Sequence, residues 1–297
     1  MSHKSGFVNI IGRPNVGKST LMNTLVGERM SIITSKPQTT RHRIIGIVSG
    51  DDYQIVFSDT PGMIKDPSYK MHHAMNRFAN STFEDSDIMI FMIDPYENYE
   101  LDDPVIEKLK AVKSPLFLVI NKTDLVEPDR IILLIQKWSQ IAPFTEIFPI
   151  SALKENNTPE LIKYIIKHLP EGPVYYPKDQ LTDKNERFFI SEIIREKILV
   201  NYRQEIPYSC EVVVESFKED PKKKGFVIIK AIIYVSRKTQ KSIIIGKNGI
   251  GIKKLGIEAR RDIEGFIRKK SYLELFVKVK ENWRDDEREL KQFGYKE

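Results

Sequence analysis

"GRPNVGKST", residues 12–20, fits G-x-x-x-x-G-K-[ST] in full. It follows an apolar run, "GFVNIIG" (6–12), that reads as a strand, and it opens "KSTLMNTLVGE" (18–28), that reads as a helix. That strand–loop–helix context is what a phosphate-binding loop requires. Gly12 and Gly17 let backbone N–H groups turn inward around phosphates. Lys18 brings a charge to the terminal phosphates, and the Ser19 hydroxyl is placed to ligate Mg2+.

Working outward, five more apolar runs read as strands: "IIGIVSG" (44–50), "YQIVFSD" (53–59), "DIMIFMID" (87–94), "PLFLVIN" (115–121) and "TEIFPIS" (145–151). The first two are joined by "DD" and are expected to pair antiparallel. Helical patterns such as "DPVIEKLKAV" and "RIILLIQKWSQI" fall between the others. Near-continuous apolar strands separated by helices indicate an α/β domain: a mixed, mostly parallel six-stranded sheet with flanking helices.

Three short motifs end three of these strands, where this architecture places ligands. In "DTPG" (59–62), Asp59 is expected to hold Mg2+ through water and the Gly62 N–H to reach a γ-phosphate. In "NKTD" (121–124), the Asp124 carboxylate can accept both N–H donors of a guanine edge, which adenine lacks; Asn121 supports the base and the loop. "SAL" (151–153) closes the base pocket, with the Ala152 N–H expected to point at guanine O6. The nucleotide-binding set is therefore Gly12, Pro14, Asn15, Val16, Gly17, Lys18, Ser19, Thr20, Asp59, Gly62, Asn121, Lys122, Asp124, Ser151, Ala152 and Leu153.

"PEGPVYYPKDQLTDK" (170–184) breaks the rhythm with three prolines, a glycine and no periodicity. It reads as a linker. The expected division is a nucleotide-binding domain over 1–172, a linker over 173–184 and a second domain over 185–297. In that second domain a helix ("ERFFISEIIREKILVNY") precedes two strands ("SCEVVVESF", "FVIIKAIIYVS") joined by the turn "KEDPKKKG". Two helices around "IIIGKNGIG" (243–251) and a strand, "LELFVKVK", complete an α-β-β-α-α-β order.

The second glycine loop has no Lys-Ser or Lys-Thr after its last glycine, and it links two helices rather than a strand and a helix. It does not qualify as a nucleotide loop. It does fit I-G-x-x-G between helices, the KH signature, and the element order matches an α+β KH type II domain. Such a loop clamps about four nucleotides of single strand. Gly246, Lys247, Asn248 and Gly249 form it, with Lys253, Lys254, Arg260 and Arg261 as phosphate contacts from the following helix. Of the flanking isoleucines, Ile243, Ile244, Ile250 and Ile252, most are expected in the core and one or two at the base groove.

Charge agrees with that division. Residues 1–180 carry 20 Lys+Arg against 22 Asp+Glu, and residues 181–297 carry 27 against 19, so the net +6 of the chain lies entirely in its last third. Such asymmetry points to a polyanion partner. The single cysteine, Cys210, excludes an internal disulfide framework and fits a reducing compartment. The N-terminal stretch lacks the apolar core of a signal peptide, and no run approaches the roughly 18 apolar residues of a spanning helix. A cytoplasmic monomer is expected, with peripheral attachment to a membrane surface still open to it.

"GRPNVGKSTLMN", "KPQTTRHRI", "DTPG", "NKTD", "SAL" and the linker together resemble the Era family of bacterial ribosome-assembly GTPases, across essentially the whole chain. The resemblance implies that Thr40 is the switch threonine that faces Mg2+ and the γ-phosphate, a choice over Thr39 that the residues themselves leave open. With Lys18, Asp59, Gly62 and Asn15 it makes up the expected catalytic set. Met63 stands where Ras-type enzymes carry a water-orienting glutamine. A thioether cannot polarise water, so hydrolysis is expected to be slow. In some related GTPases an asparagine at the Asn15 position binds potassium, which makes Asn15 a candidate potassium ligand; "RHR" (41–43) is a further candidate for assisting hydrolysis. "MIKDPSYKMHH" (63–73) has the polar look of a mobile switch loop. The implied partner is the single-stranded 3′ end of small-subunit ribosomal RNA on an assembling subunit. The competing reading is a signalling or membrane-associated GTPase whose basic C-terminal domain binds anionic lipid.

Overall fold

The computed structural model describes residues 2–34, 36–62, 64, 66–81, 86–100 and 102–295. The chain forms two compact units. One comprises residues 1–31, 40–64 and 75–183, the other residues 32–39, 65–74 and 184–297.

The first unit is built on β1 (Lys4–Ile11), β2 (Ile44–Ser49), β3 (Tyr53–Asp59), β4 (Ile88–Ile93), β5 (Leu116–Ile120) and β6 (Glu146–Pro149). They form one sheet in the order β2-β3-β1-β4-β5-β6. Only the β2–β3 pair is antiparallel; the other neighbours run parallel. The mixed six-stranded sheet is thus as the apolar runs predict. Its middle strands show why: "IMIFMI" of β4 and "LFLVI" of β5 are buried at every position, the pattern of strands covered on both faces. The helices between strands are α1 (Lys18–Val26), α2 (Lys70–Ser81, of which residues 75–81 belong to this unit), α3 (Pro104–Ala111), α4 (Pro128–Trp138) and α5 (Thr158–His168). One face of the sheet packs Phe91, Leu118 and Ile120 against Leu109, Leu134 and Trp138. α2 corrects one expectation: residues 70–73, expected in a loop, are its first turn. Met63 lies outside the described residues.

The proline-rich stretch expected as a linker is pinned down over most of its length. The Gln54 side chain, wholly buried in β3, reads its backbone: Oε1 accepts from the N–H groups of Tyr175 and Tyr176 at 2.8 and 3.0 Å, and Nε2 donates to Tyr176 O at 2.8 Å. Further along, the Ile47 N–H of edge strand β2 donates to Leu181 O at 2.8 Å, and Lys178 Nζ donates to the carbonyls of Gly50 and Asp51.

In the second unit, β7 (Cys210–Glu219), β8 (Phe226–Val235) and β9 (Lys270–Val279) form a three-stranded sheet in that order, β7 antiparallel and β9 parallel to β8. A core of Ile190, Ile194 and Ile198 from α6 (Glu186–Asn201), Ile244 from α7 (Lys238–Ile245), and Leu255, Ala259 and Ile263 from α8 (Ile250–Ile267) covers Val227, Ile229, Ile233 and Val277 of the strands. Cys210 is buried there, its thiol directed at Ile206 O. The α-β-β-α-α-β order is observed, with an unforeseen end. α9 (Glu287–Gln292) starts at Asp286, whose carboxylate caps the N–H groups of Arg288 and Glu289. Around it Trp283, Leu290, Phe293 and Tyr295 are buried. Trp283 Nε1 donates to Ser209 O at 3.2 Å, and the Tyr295 hydroxyl donates to Glu211 Oε2 at 2.6 Å.

Because three backbone groups at 175–176 depend on one buried carboxamide, Gln54→Ala is expected to destabilise the first unit by about 1–3 kcal/mol, part-buried backbone groups losing a partner with partial relief by water. Urea unfolding checks it; an unchanged midpoint would show that water replaces the carboxamide at no cost.

Candidate functional site

All four predicted motifs sit at the C-terminal ends of β1, β3, β5 and β6, so the sheet itself gathers them. Gly17 is where the phosphate loop needs glycine. Its φ is +105°, and a Cβ there would stand 2.2 Å from Asn121 Nδ2. The Lys18 side chain folds back over its own loop, Nζ donating to the carbonyls of Gly12 at 2.9 Å and Arg13 at 2.8 Å. Burial pulls its pKa down, and the charges of Asp59 and Glu97 pull it back up.

The three residues expected at a metal converge. The Ser19 hydroxyl donates to Asp59 Oδ2 at 2.7 Å and lies 3.2 Å from Thr40 Oγ1. Asp59 is fully buried, and burial pushes its carboxyl above the usual range against the Ser19 hydroxyl and the Lys18 charge. Its Oδ1 is buried without a hydrogen-bond partner among the described residues. An orphaned carboxylate oxygen beside two hydroxyls is a hard, oxygen-only donor set, which suits Mg2+. The neighbouring threonines also separate: Thr39 is engaged within its own loop, with Thr34 Oγ1 at 2.7 Å and Lys36 O at 2.6 Å, whereas Thr40 faces Ser19. Gly62 lies against Pro14, so the second motif borders the first. Of "RHR", Arg41 and His42 are buried and Arg43 donates to Ser58 Oγ at 2.9 Å. Asn15 adopts φ +68° and is exposed on the loop.

At the base end, Asn121 joins three motifs. Its Nδ2 donates to Val16 O at 2.8 Å, and its Oδ1 accepts from the Ala152 N–H at 2.9 Å. That Ala152 N–H is the one expected to point at guanine O6; here Asn121 Oδ1 is its partner. Ser151 is buried, its N–H and C=O bonded to Asn156, and the Thr24 hydroxyl donates to Ala152 O at 2.9 Å. Asp124 and Leu153 are exposed at the rim. Lys122, at φ +61°, donates to Asp94 Oδ2 at 2.8 Å.

Asp94 belongs to a segment that motif reading passed over, the β4–α3 connection at 94–103. From it Asn98 O accepts from Arg13 Nη1 at 2.8 Å, Asp103 pairs with Arg13 at 2.8 Å, and the Tyr99 ring lies 3.8 Å under the Arg13 guanidinium. The signal in the sequence was an arginine inside the phosphate loop facing "DPYENYELDDP", a pairing that no motif encodes.

In the second unit, Gly246–Gly249 link α7 to α8 through a single tight turn. Gly246 has φ +72°, and a Cβ there would meet Gly251 N at 2.8 Å; at Gly249 the same probe meets nothing within 4 Å. One glycine closes the turn and the other leaves open space beside it. Asn248 is left-handed (φ +53°), and Lys247, Asn248, Lys253, Lys254, Arg260 and Arg261 are all exposed. Lys254, Arg260 and Arg261 lie near Glu258, Glu264 and Asp262 at 3.8, 4.0 and 3.3 Å; Lys247 and Lys253 form no ion pair among the described residues. Ile244 is core, while Ile243 and Ile250 are 52% and 65% exposed beside the loop. No helix among the described residues is long and apolar enough to cross a membrane.

Residues 7–122 match the family described as 50S ribosome-binding GTPase, and residues 205–284 match the KH domain family. The fold and the site therefore define a P-loop GTPase with an RNA-binding type of domain attached. The chain is 47% identical over 294 residues to GTPase Era of Clostridium kluyveri, covering 99% of both, and 46% identical to a chloroplastic Era GTPase of Zea mays, covering 99% of this chain and 71% of that one. It matches the crystal structure of a variant Aquifex aeolicus Era bound to GDP and AlF4− with a TM-score of 0.92 at 40% identity, over 98% and 99% of the two chains. A structure of Era in complex with MgGDPNP and nucleotides 1506–1542 of 16S ribosomal RNA matches equally, TM-score 0.92 and 40% identity over 99% of each. The chain belongs to the Era family of GTP-hydrolysing enzymes.

Gly17→Ala is expected to weaken guanine-nucleotide binding by about 2–5 kcal/mol, from ~1–2 kcal/mol of left-handed strain and ~1–3 kcal/mol for displacing Asn121 from its buried bonds. Fluorescent-GDP titration reads this as roughly 30-fold or more; wild-type affinity would show that Asn121 can move without loss.

Proposed function

We propose that this chain is a GTP-controlled switch that binds the single-stranded 3′ end of small-subunit ribosomal RNA during assembly of that subunit. The observation that supports this most is the 40% identity, over 99% of each chain, to an Era held with both MgGDPNP and a 16S ribosomal RNA segment. The exposed Gly246–Gly249 turn, in the part of the chain that carries the positive excess, supplies matching chemistry here. In this reading residues 1–172 hold nucleotide, 173–184 connect and 185–297 hold RNA.

On nucleotide binding, Lys18 exchanges the carbonyls of its own loop for the terminal phosphates, and the loop N–H groups from Gly12 to Thr20 surround them. Ser19, Thr40 and Asp59 hold Mg2+, which neutralises phosphate charge. The Gly62 N–H meets the γ-phosphate, so residues on either side of Thr40 and Gly62 feel its loss on hydrolysis. Asp124 reads the guanine edge, Lys122 and Leu153 border the base, and Asn121 holds their loops in place. With Met63 in place of a glutamine, positioning and charge neutralisation carry hydrolysis without a water-polarising side chain, which suits switching better than turnover. At the RNA end, Gly249 lets a sugar-phosphate backbone approach closely, while Lys247, Lys253, Lys254 and Arg260 meet its phosphates.

Gly246→Asp/Gly249→Asp should abolish RNA binding while GTP affinity stays intact, since a carboxylate about 4 Å from a phosphate costs ~1–4 kcal/mol. Lys247→Ala and Lys253→Ala, which leave the turn itself unaltered, should each lower RNA affinity and reduce the salt slope by about 0.7 for a single strand. Filter binding to a single-stranded small-subunit 3′-end oligonucleotide checks both; undiminished binding by the aspartate variant contradicts the assignment.

A further inference from the structure

Nucleotide is gripped at two ends by two different loops, the phosphates by residues 12–20 and the base by residues 121–125, and release requires those grips to part. A third loop ties them together. At the phosphate end, Arg13 is held by Asn98 O at 2.8 Å, by Asp103 at 2.8 Å and by the Tyr99 ring at 3.8 Å. Tyr99 is itself fixed edge-on against Phe91 and Trp138 of the core, centroids 5.6 and 5.3 Å apart. At the base end, Asp94 accepts from Lys122 Nζ at 2.8 Å, the Tyr96 hydroxyl donates to Leu125 O at 2.9 Å, and Arg130 reaches Pro95 O at 3.4 Å. Between these two sets of contacts stands Glu97, half-buried, its Oε2 accepting from the Asp94 N–H at 3.2 Å.

We propose that residues 94–100 with Asp103 form a clasp joining the phosphate loop to the guanine loop, and that the charge on Glu97 sets how fast bound guanine nucleotide leaves. Arg13, Tyr96 and Glu97 act here as positioning residues for nucleotide retention.

Glu97 acts on the phosphate end through Lys18. The charged groups acting on Glu97 are Asp94 of its own loop and Arg13 and Lys18 of the phosphate loop. Burial, the largest influence, raises the Glu97 carboxyl to about 7; the Asp94 N–H lowers it, the Asp94 charge raises it, and Arg13 and Lys18 lower it. An ionised Glu97 draws on the same Lys18 charge that a terminal phosphate needs. A neutral one leaves that charge to the phosphate. Bound phosphates, being anionic, in turn favour the protonated form. Retention is therefore strongest below the Glu97 pKa and weakens as pH rises through about 7.

The proposal rests on the guanine-nucleotide site, and its test separates the two. Release of a fluorescent GDP from the full-length protein is followed by displacement from pH 6 to 8.5 with saturating Mg2+. The wild type is expected to release about five- to tenfold faster at the high end, the range that a shift of roughly one pKa unit allows. Glu97→Gln is expected to release slowly with a flat profile. Ionisation of GDP itself is common to both proteins and cancels. Tyr96→Phe, which removes one hydroxyl from the clasp, is expected to speed release severalfold at every pH, about what one hydrogen bond is worth. If Glu97→Gln keeps the wild-type profile, or Tyr96→Phe releases at the wild-type rate, the clasp is refuted. Failure of the wild type to bind GDP at all would instead refute the site.

Discussion

The Asn121 carboxamide is the constraint on which the nucleotide site depends. It sits at the end of β5, 3% exposed, and makes two long-range bonds, to Val16 O and from the Ala152 N–H. Each would cost a buried polar group its partner if broken. Its Nδ2 also occupies the space where any side chain on Gly17 would go. One residue thereby ties together the loops at 12–20, 121–124 and 151–153. The parallel sheet makes this possible, because β1, β5 and β6 deliver all three loops to the same edge. Asp124, proposed to read guanine, is exposed in the loop that Asn121 begins, so its placement rests on the buried hydrogen bonds of Asn121.

The two glycine loops solve different problems with the same residue. In the first, glycine makes room for a neighbouring side chain, beside a cluster in which Lys18 and Asp59 are buried and Ser19 and Thr40 half-buried. Charge there is concentrated and desolvated: burial works against both Lys18 and Asp59, and each offsets the other's cost. In the second, Gly246 closes a turn so tight that its neighbour is the Gly251 backbone, and Gly249 faces open space. Lysines around it are exposed and solvated. A compact, desolvated site grips one small anion strongly; an open, solvated one tracks a polymer whose phosphates come one after another.

How legible this was in the sequence depended on the range of the interaction. Strands buried on both faces announce themselves as unbroken apolar runs, so β4 and β5, and with them the mixed sheet, were readable. The four motifs were readable because each is contiguous. The choice between Thr39 and Thr40 was not, since it turns on which hydroxyl the loop's own turn consumes. Nor was the partner of the Ala152 N–H, since a motif gives residues and not the direction of a bond. Residues 94–103 escaped notice because their work is done on Arg13 and Lys122, through contacts that span 28 to 90 residues of chain. In the linker, residues 173–184, the hold on Tyr175 and Tyr176 could not be read, because the side chain that makes it, Gln54, is a single polar letter inside "YQIVFSD". α9 was missed although Asp286 and Gly294 bracket it, because its six residues are too few to show a period.

The central claim is that one chain joins a guanine-nucleotide switch to a single-stranded RNA site, so that the state of the first governs the second. The most direct test is the affinity for a small-subunit ribosomal RNA 3′-end oligonucleotide, measured on the same preparation with a non-hydrolysable GTP analogue and Mg2+, with GDP and with no nucleotide. Tighter binding with the analogue than with GDP is the predicted result. Equal affinity in all three states would contradict it and reduce the chain to two independent modules.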